Sequence, residues 1–176
     1  NALLGGDTPT AGFMDITVRD RAVIRQRYLP NSAVLETVIE DKNDGALRML
    51  DFAPRFQRFG RLFRPPMLVR RIEPLRGRPR IALRLRPSFD YGARAPQLTS
   101  GSNHVRYIGS TEVLRLTTDA PISYILHETE FSLDRPITII VGADESVTDG
   151  PDTIGRTFLQ ETELYWQDWV RDLNVP

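Results

Sequence analysis

The stretch Arg80-Ile81-Ala82-Leu83-Arg84-Leu85-Arg86 decides the fold class. Its apolar side chains at positions 81, 83 and 85 alternate with the arginines at 80, 84 and 86, which is the period of a strand with one buried and one solvated face. Similar apolar or β-branched stretches recur from Phe13 to about Gly142 and are separated by glycine, proline, asparagine or aspartate. Such short strands between turn residues predict an all-β domain.

About eleven strands are predicted, and they are expected to stack as a large antiparallel β-sandwich, a super-β-sandwich. A barrel would also close so many strands, but the arginine-lined outer faces favour two sheets. Ile137-Thr138-Ile139-Ile140-Val141 is apolar on both faces and is therefore expected to be central. The turn Lys42-Asn43-Asp44-Gly45 predicts a hairpin in which Gly45 takes a positive φ. The predicted strands lie near residues 13–18, 21–28, 34–40, 47–52, 67–75, 80–86, 104–108, 112–118, 122–126, 129–133 and 136–142.

Composition excludes several classes of site. The 176 residues include no cysteine and two histidines, so we expect no disulfide, no metal centre and no cofactor. The 23 basic residues are balanced by 23 acidic ones, which argues against a nucleic-acid partner. Apolar runs are too short to span a bilayer and no leader opens the chain, so we expect a soluble domain, in the cytoplasm rather than secreted.

The hydrophobic period changes after Asp149-Gly150-Pro151-Asp152. Apolar residues then recur at spacings of three, four and seven, which predicts one amphipathic helix with Asp152 or Thr153 as its N-cap. We therefore divide the chain into a β-sandwich domain, 1–150, and a linker helix, 151–176. The segment Ala2-Leu3-Leu4-Gly5-Gly6 resembles the end of an element whose beginning is missing, so the sandwich is expected to be truncated at its N-terminus.

Aromatic residues crowd the end of this helix, at Tyr165, Trp166 and Trp169. Large aromatic side chains bury roughly 150–250 Å² each, so this surface needs a cover. Either the helix folds back on its own sandwich, or one edge of it contacts the sandwich and the other a following domain. Two tryptophans three positions apart widen the apolar stripe and favour contacts on two sides.

The segment 55–66 interleaves arginines with Phe56, Phe59 and Phe63. Such a mixture is typical of nucleic-acid surfaces, but the segment is short and the rest of the chain offsets its charge. The phenylalanines recur at helical spacing. We therefore interpret the segment as a loop that docks through its aromatic side chains on a neighbouring surface.

Several segments, taken in order, resemble the N-terminal domain of bacterial family 15 glycoside hydrolases, the glucoamylase- and trehalase-like enzymes. The similarity covers nearly the whole chain, and no single segment decides it. The similar segments are Arg25-Gln26-Arg27-Tyr28-Leu29-Pro30-Asn31-Ser32-Ala33-Val34-Leu35-Glu36-Thr37, Asp51-Phe52-Ala53-Pro54, Leu68-Val69-Arg70-Arg71-Ile72-Glu73, Arg86-Pro87-Ser88-Phe89-Asp90-Tyr91-Gly92 and Glu161-Thr162-Glu163-Leu164-Tyr165-Trp166-Gln167-Asp168-Trp169.

The resemblance implies a non-catalytic domain that braces an (α/α)6 catalytic barrel of the same parent chain, with the two catalytic glutamates and the carbohydrate substrate in that barrel. The parent would be an inverting hydrolase of α-glucosidic bonds in starch, malto-oligosaccharides or trehalose. No catalytic, cofactor or metal residue is assigned to this chain. The expected interdomain contacts are Phe56, Phe59, Phe63, Tyr165, Trp166 and Trp169.

Other candidate chemistry was weighed against structural roles. The helix carboxylates Glu161, Glu163 and Asp168 are expected to be solvated. Asp90 is expected to hold a turn before Gly92 rather than a sugar. The histidines, His104 and His127, follow or precede turns, and no nucleophile elbow or phosphate loop accompanies them. Two alternatives remain. An autonomous carbohydrate-binding module predicts that Phe89, Tyr91 or Tyr107 form an exposed platform, and a non-enzymatic sandwich that assembles through segment 55–66 predicts a defined oligomer.

Overall fold

The computed structural model describes residues 12–173. The predicted N-terminal segment 2–6 and the last residues, 174–176, therefore lie outside the described part. The fold class is the predicted one: two unequal antiparallel sheets and one long C-terminal helix. The strands are β1 Phe13–Val18, β2 Arg21–Tyr28, β3 Leu35–Asp41, β4 Ala46–Phe52, β5 Phe56–Arg58, β6 Arg61–Phe63, β7 Met67–Arg76, β8 Arg80–Arg86, β9 Gln97–Ser100, β10 His104–Ile108, β11 Val113–Thr118, β12 Phe131–Ser132 and β13 Ile137–Ala143.

The large sheet has eight strands in the order β2-β3-β4-β7-β13-β11-β10-β9, and the small sheet has the order β1-β8-β12. β5 and β6 pair only with each other, as a short hairpin. The helices are α1, Ile122–Leu126, and α2, Pro151–Asp172. The apolar strand at 137–141 is central as predicted, because β13 lies between β7 and β11.

One face of the large sheet packs on the small sheet and α1. Ile81 and Leu83 of β8 are almost fully buried against Ile72 and Ile139 of the large sheet, in agreement with the alternation that opened the sequence analysis. The opposite face packs on α2, where Val69 and Ile140 meet Ile154. Because both of its faces are covered near the centre, the large sheet separates two apolar layers.

The β3–β4 hairpin forms as predicted, but its glycine has a different role. The positive φ belongs to Asp44, at 65°, and not to Gly45. The Asp41 carboxylate accepts hydrogen bonds from the backbone N–H groups of Asn43 and Gly45, at 2.7 and 2.8 Å. A Cβ at Gly45 would meet the Asp41 carboxylate, so a larger residue here would displace the side chain that holds the turn.

Two predicted strands are wrong in type or length. Residues 122–126 form α1, because local bonds such as His127 N–H to the Ser123 carbonyl outweigh strand propensity and place Ile125 in the core. The strand predicted at 129–133 shrinks to Phe131–Ser132. Three strands were missed: β5, β6 and the exposed edge strand β9, which lacks apolar alternation.

The long helix begins earlier than predicted. Its N-cap is Gly150, with Pro151 in the first turn, and neither Asp152 nor Thr153 has that role. Proline suits the first helical turn because the N–H that it lacks has no partner there. Asp152 is instead bound by a side chain of the large sheet, as described below.

Replacing Gly155 by alanine is expected to destabilise the domain. A Cβ at Gly155 would lie 2.7 Å from both Cγ2 and Oγ1 of Thr138, a fully buried residue of β13. Overpacking of this kind costs about 1–3 kcal/mol, which exceeds the roughly 1 kcal/mol that alanine gains over glycine inside a helix. Urea unfolding measures the change.

The matched control is Gly150→Ala, since a Cβ there meets no atom within 4 Å. Equal stability of the two variants would contradict the close approach of α2 to β13.

Candidate functional site

The first half of α2 is a structural part of the sandwich. Phe158 contacts Phe56 and Phe63 of the β5–β6 hairpin, with ring centroids 5.2 and 5.5 Å away. The fully buried Thr162 accepts a hydrogen bond on Oγ1 from the backbone N–H of Arg55, at 3.2 Å. The helix is therefore fixed to the sheet and to the hairpin up to about residue 162.

The second half of α2 presents the same face without a cover. Gly155, Thr162 and Trp169 are seven residues apart and so point in nearly the same direction from the helix axis. Gly155 and Thr162 are buried, but Trp169 is 48% exposed and Leu173 is 43% exposed. The apolar face of α2 thus continues beyond the part of the helix that the sandwich buries.

Three aromatic residues, Tyr165, Trp166 and Trp169, form what we call the terminal cluster. Their rings meet edge to face, with centroids 5.5 Å apart for Tyr165 and Trp166 and 5.6 Å apart for Trp166 and Trp169. The guanidinium of Arg55 lies over Tyr165 and Trp166, at 5.4 and 5.5 Å from the ring centroids. Edge-to-face and cation–π contacts hold these side chains in one arrangement before any partner binds.

Two donors, one in the cluster and one in the arginine that lies over it, are enclosed without an acceptor among the described residues. They are Nε of Arg55 and Nε1 of Trp166. An enclosed donor without a partner has lost its hydration and costs free energy. The cluster is therefore less well satisfied than the rest of the helix surface.

The predicted contact residues of segment 55–66 do not act together. The segment is a hairpin and not a loop docked at helical spacing, and Phe56 and Phe63 are directly paired across it. Phe56 is 3% exposed, so it belongs to the base of the hairpin and is corrected from a surface contact to a core residue. Phe63 packs 4.9 Å from Phe56. Phe59, at the tip of the hairpin, is 92% exposed and remains available to contact a partner.

A line of ion pairs joins the large sheet to the start of α2, and we call it the charge ladder. Its buried centre is Arg71, 5% exposed, which bonds Glu73 through Nε and Asp152 through Nη1, both at 2.7 Å. Glu73 also accepts a bond from Arg48 at 2.5 Å. The ladder runs in the order Arg27, Glu36, Arg48, Glu73, Arg71, Asp152 and Arg156.

The charge ladder lowers the pKa values of two carboxyl groups. The hydrogen bond from Arg71 lowers the pKa of Asp152 against an opposing effect of burial. Burial raises the pKa of Glu73, but the bonds from Arg48 and Arg71 outweigh it and the pKa is lowered. Both groups are therefore held as carboxylates in the folded chain.

The domain is expected to lose stability in acid through this ladder. Because the pKa values of Glu73 and Asp152 are lower when folded, their contribution is present above the ordinary carboxyl pKa, about 4, and is lost as the pH falls through the folded values. Thermal unfolding between neutral and acidic pH measures it. The double variant Glu73→Gln and Asp152→Asn should show a flatter pH dependence, and an unchanged slope would show that the ladder does not carry this effect.

The three helix carboxylates do not converge. Glu161 lines a cleft beside α2. Burial raises the pKa of Glu163, and the positive charge of Arg48 acts in the opposite direction. Asp168 is exposed and pairs with Arg171 at 3.3 Å. The three groups thus have different surroundings, and the expectation that all three are solvated is wrong for Glu163, which burial affects.

The remaining candidates have structural roles. Asp90 accepts hydrogen bonds from Ser110 and lies 3.4 Å from Arg94, so it holds its turn as expected. Burial and the charges of Arg115 and Arg106 lower the pKa of His104. His127 ends α1, and its neighbour Glu128 is bound by Arg86 instead.

The aromatic platform of the alternative module does not form from two of its three residues. Phe89 and Tyr107 are 6% and 5% exposed, and burial raises the pKa of Tyr107 to about 12. The side chain of Tyr91 lies outside the described part of the structure. Phe89 and Tyr107 are thus core residues, and not a surface on which a sugar could stack.

Sequence reasoning missed Arg55 and Arg71. In the sequence, Arg55 is one of several arginines in segment 55–66, and Arg71 is one residue of a segment that resembles the hydrolase family. A possible signal for Arg71 was an arginine within a strand that pairs with the apolar β13, since a charge beside a buried strand requires a partner.

Comparison of the chain with protein-family models, with curated proteins and with solved structures finds no match in any of the three. Within residues 12–173, no helix is long and apolar enough to cross a membrane. Among the same residues, no group of three or more metal-binding side chains is close enough to hold an ion.

Proposed function

We propose that this chain is the non-catalytic β-sandwich and linker helix of a glycoside hydrolase that acts on α-glucosidic bonds, and that it braces an (α/α)6 catalytic barrel. The observation that carries the proposal is the exposure of Trp169 on the same helix face that is fully buried at Thr162. A helix face that the sandwich covers along its first half and leaves exposed at Trp169 and Leu173 is suited to contact two bodies.

Exposed apolar side chains lie at the end of α2, where such a barrel would dock. Leu164, Trp169 and Leu173 are 52%, 48% and 43% exposed and lie within the last ten residues of the described chain. Stable interfaces bury roughly 800 Å² on each partner, with aromatic anchors near the centre. The terminal cluster supplies such an anchor, and its internal contacts reduce the entropy lost on binding.

The proposed role is mechanical. The first half of α2 is tied to the large sheet by the buried Arg71, and Thr162 bonds the residue that precedes the β5–β6 hairpin, so the direction in which the second half projects is fixed by the sandwich. A barrel that binds the second half would be held at a defined angle to the sandwich. The catalytic acid and base would belong to the barrel, together with the starch, malto-oligosaccharide or trehalose substrate.

The resemblance of the sequence supports the choice of a catalytic barrel as the partner. The similar segments include both the strand that carries Arg71 and the helix that carries the terminal cluster. These two elements are joined by the Arg71–Asp152 bond of 2.7 Å. The strand segment of the resemblance is therefore bonded to the helix that would contact the barrel.

The experiment is to purify this chain and, separately, the barrel of its parent. The chain alone should hydrolyse neither maltose nor trehalose, and sedimentation velocity should show a complex of one copy of each when they are mixed. Hydrolysis by the chain alone would overturn the assignment of the chemistry to the barrel. A stable self-associated form that does not bind the barrel would show that the exposed face contacts a second copy instead.

A further inference from the structure

A cleft of about 530 Å³ lies beside the first half of α2, away from the terminal cluster. Its walls are α2, the segment between β13 and α2, and the β5–β6 hairpin with the residues that follow it. Sites for small molecules usually measure about 300–1,000 Å³. The size therefore fits a small ligand.

The wall formed by α2 is a polar row next to an aromatic ring. Thr153, Thr157 and Glu161 are four residues apart, so they line up along one side of the helix. Phe158 adjoins them and is half-buried, and Phe63 faces the cleft from the hairpin. A ligand in the cleft would meet hydroxyl groups, a carboxylate and apolar rings together.

The opposite wall is also polar and carries charges of both signs. Glu145, Ser146 and Asp149 lie in the connection before α2, and Arg58 and Arg115 line the cleft from the hairpin and from β11. Arg115 is bound to Asp144, at 3.4 Å. Among the described residues, the three cleft carboxylates Glu145, Asp149 and Glu161 make no ion pair.

This mixture selects the chemical class of the ligand. Three carboxylates without an ion pair disfavour an anion, and Arg58 and Arg115 keep the lining close to neutral, so charge does not dominate the choice of ligand. Each hydroxyl of a neutral sugar can donate to a carboxylate and accept from an arginine or a threonine. The C–H groups of a pyranose face are weakly positive and suit the negative faces of aromatic rings.

We propose that this cleft binds a short neutral oligosaccharide of linked hexopyranoses. The selection of an α-glucan as the sugar rests on the proposed function, because the cleft would then hold a part of the substrate outside the barrel. Thr157 and Trp169 are twelve residues apart, or about 18 Å along the helix. Sugar binding and barrel docking would therefore use separate surfaces of α2.

The test is a titration of the isotope-labelled chain with maltotriose, followed by amide chemical shifts. Binding in the roughly millimolar range is expected, with the shifts concentrated at Gly142, Thr153 and Thr157. Thr157→Trp fills the cleft from an exposed position and should abolish the shifts. Gln160→Trp places the same ring on an exposed part of α2 that does not line the cleft, and it should bind as the unmodified chain does.

Several results of this titration would overturn the proposal. The absence of shifts with maltotriose, shifts located outside the cleft, or equal binding by both tryptophan variants would each overturn the proposal. Shifts at the cleft with spermidine or with inorganic phosphate but not with maltotriose would assign it to a charged ligand and would also overturn it. Because no barrel is present in this titration, a negative result leaves the docking of the terminal cluster to be decided by its own experiment.

Discussion

Replacing Arg71 by methionine is expected to lower the free energy of unfolding by about 3 kcal/mol. Removing one member of a buried ion pair typically costs about 3–5 kcal/mol, because the other member loses its partner. We expect the lower end of this range because Glu73 remains paired with Arg48 and Asp152 remains paired with Arg156. Methionine preserves most of the packing volume, so the loss reports mainly on charge and hydrogen bonding. Urea unfolding at neutral pH measures it.

The matched control is Arg156→Met, which removes the other arginine bound to Asp152. Arg156 is 63% exposed, and exposed pairs contribute about 0–1 kcal/mol. A similar loss of unfolding free energy in both variants would show that the buried Arg71 contributes no more than the exposed Arg156. Arg71→Lys should fall between them, since lysine keeps the charge but cannot bond two carboxylates with a planar fork.

Replacing Trp169 by alanine is expected to weaken association with the barrel at least about thirtyfold, which corresponds to about 2 kcal/mol and is typical of an aromatic anchor. The stability of the isolated chain should change little, because the side chain is already 48% exposed there. Isothermal titration of the barrel with each variant measures the affinity, and urea unfolding measures the stability.

The control for Trp169 is Tyr28→Ala. Tyr28 is an aromatic residue, 65% exposed, on β2 at the edge of the large sheet. It should leave the affinity unchanged. Equal weakening by both variants would mean that the association is non-specific, and unchanged affinity for Trp169→Ala would remove the terminal cluster from the interface.

Strand periodicity predicted most of the sheet because one buried face dictates the alternation of side chains. The predicted burial is observed at Ile81 and Leu83 of β8. The central strand β13 is covered on one face by the small sheet and on the other by α2. Strand prediction failed where the burial of one face does not determine the order of apolar and polar residues. The sequence Ile122–Leu126 is rich in strand-forming residues, but it forms a turn of helix because it lies outside both sheets and only Ile125 is fully buried.

The candidate site was harder to predict because it depends on where the sheet ends relative to the helix. Periodicity placed Tyr165, Trp166 and Trp169 on a helix, but only the docking of Gly155 on Thr138 shows which part of that helix is covered. Phe56 and Phe59 are equally apolar in sequence, yet the hairpin buries one and exposes the other. The charge ladder requires strand register, since Arg48 reaches Glu73 only through the pairing of β4 with β7.

The central claim is that the terminal cluster is covered by a catalytic barrel. Both tryptophans of the sequence, Trp166 and Trp169, lie in this cluster, so a chain labelled with 5-fluorotryptophan gives fluorine NMR signals from this surface alone. On addition of unlabelled barrel, we predict that both signals shift and that the Trp169 signal loses its sensitivity to solvent isotope. Signals that keep the position and solvent sensitivity of the free chain, when the labelled chain is saturated with barrel, would contradict the account.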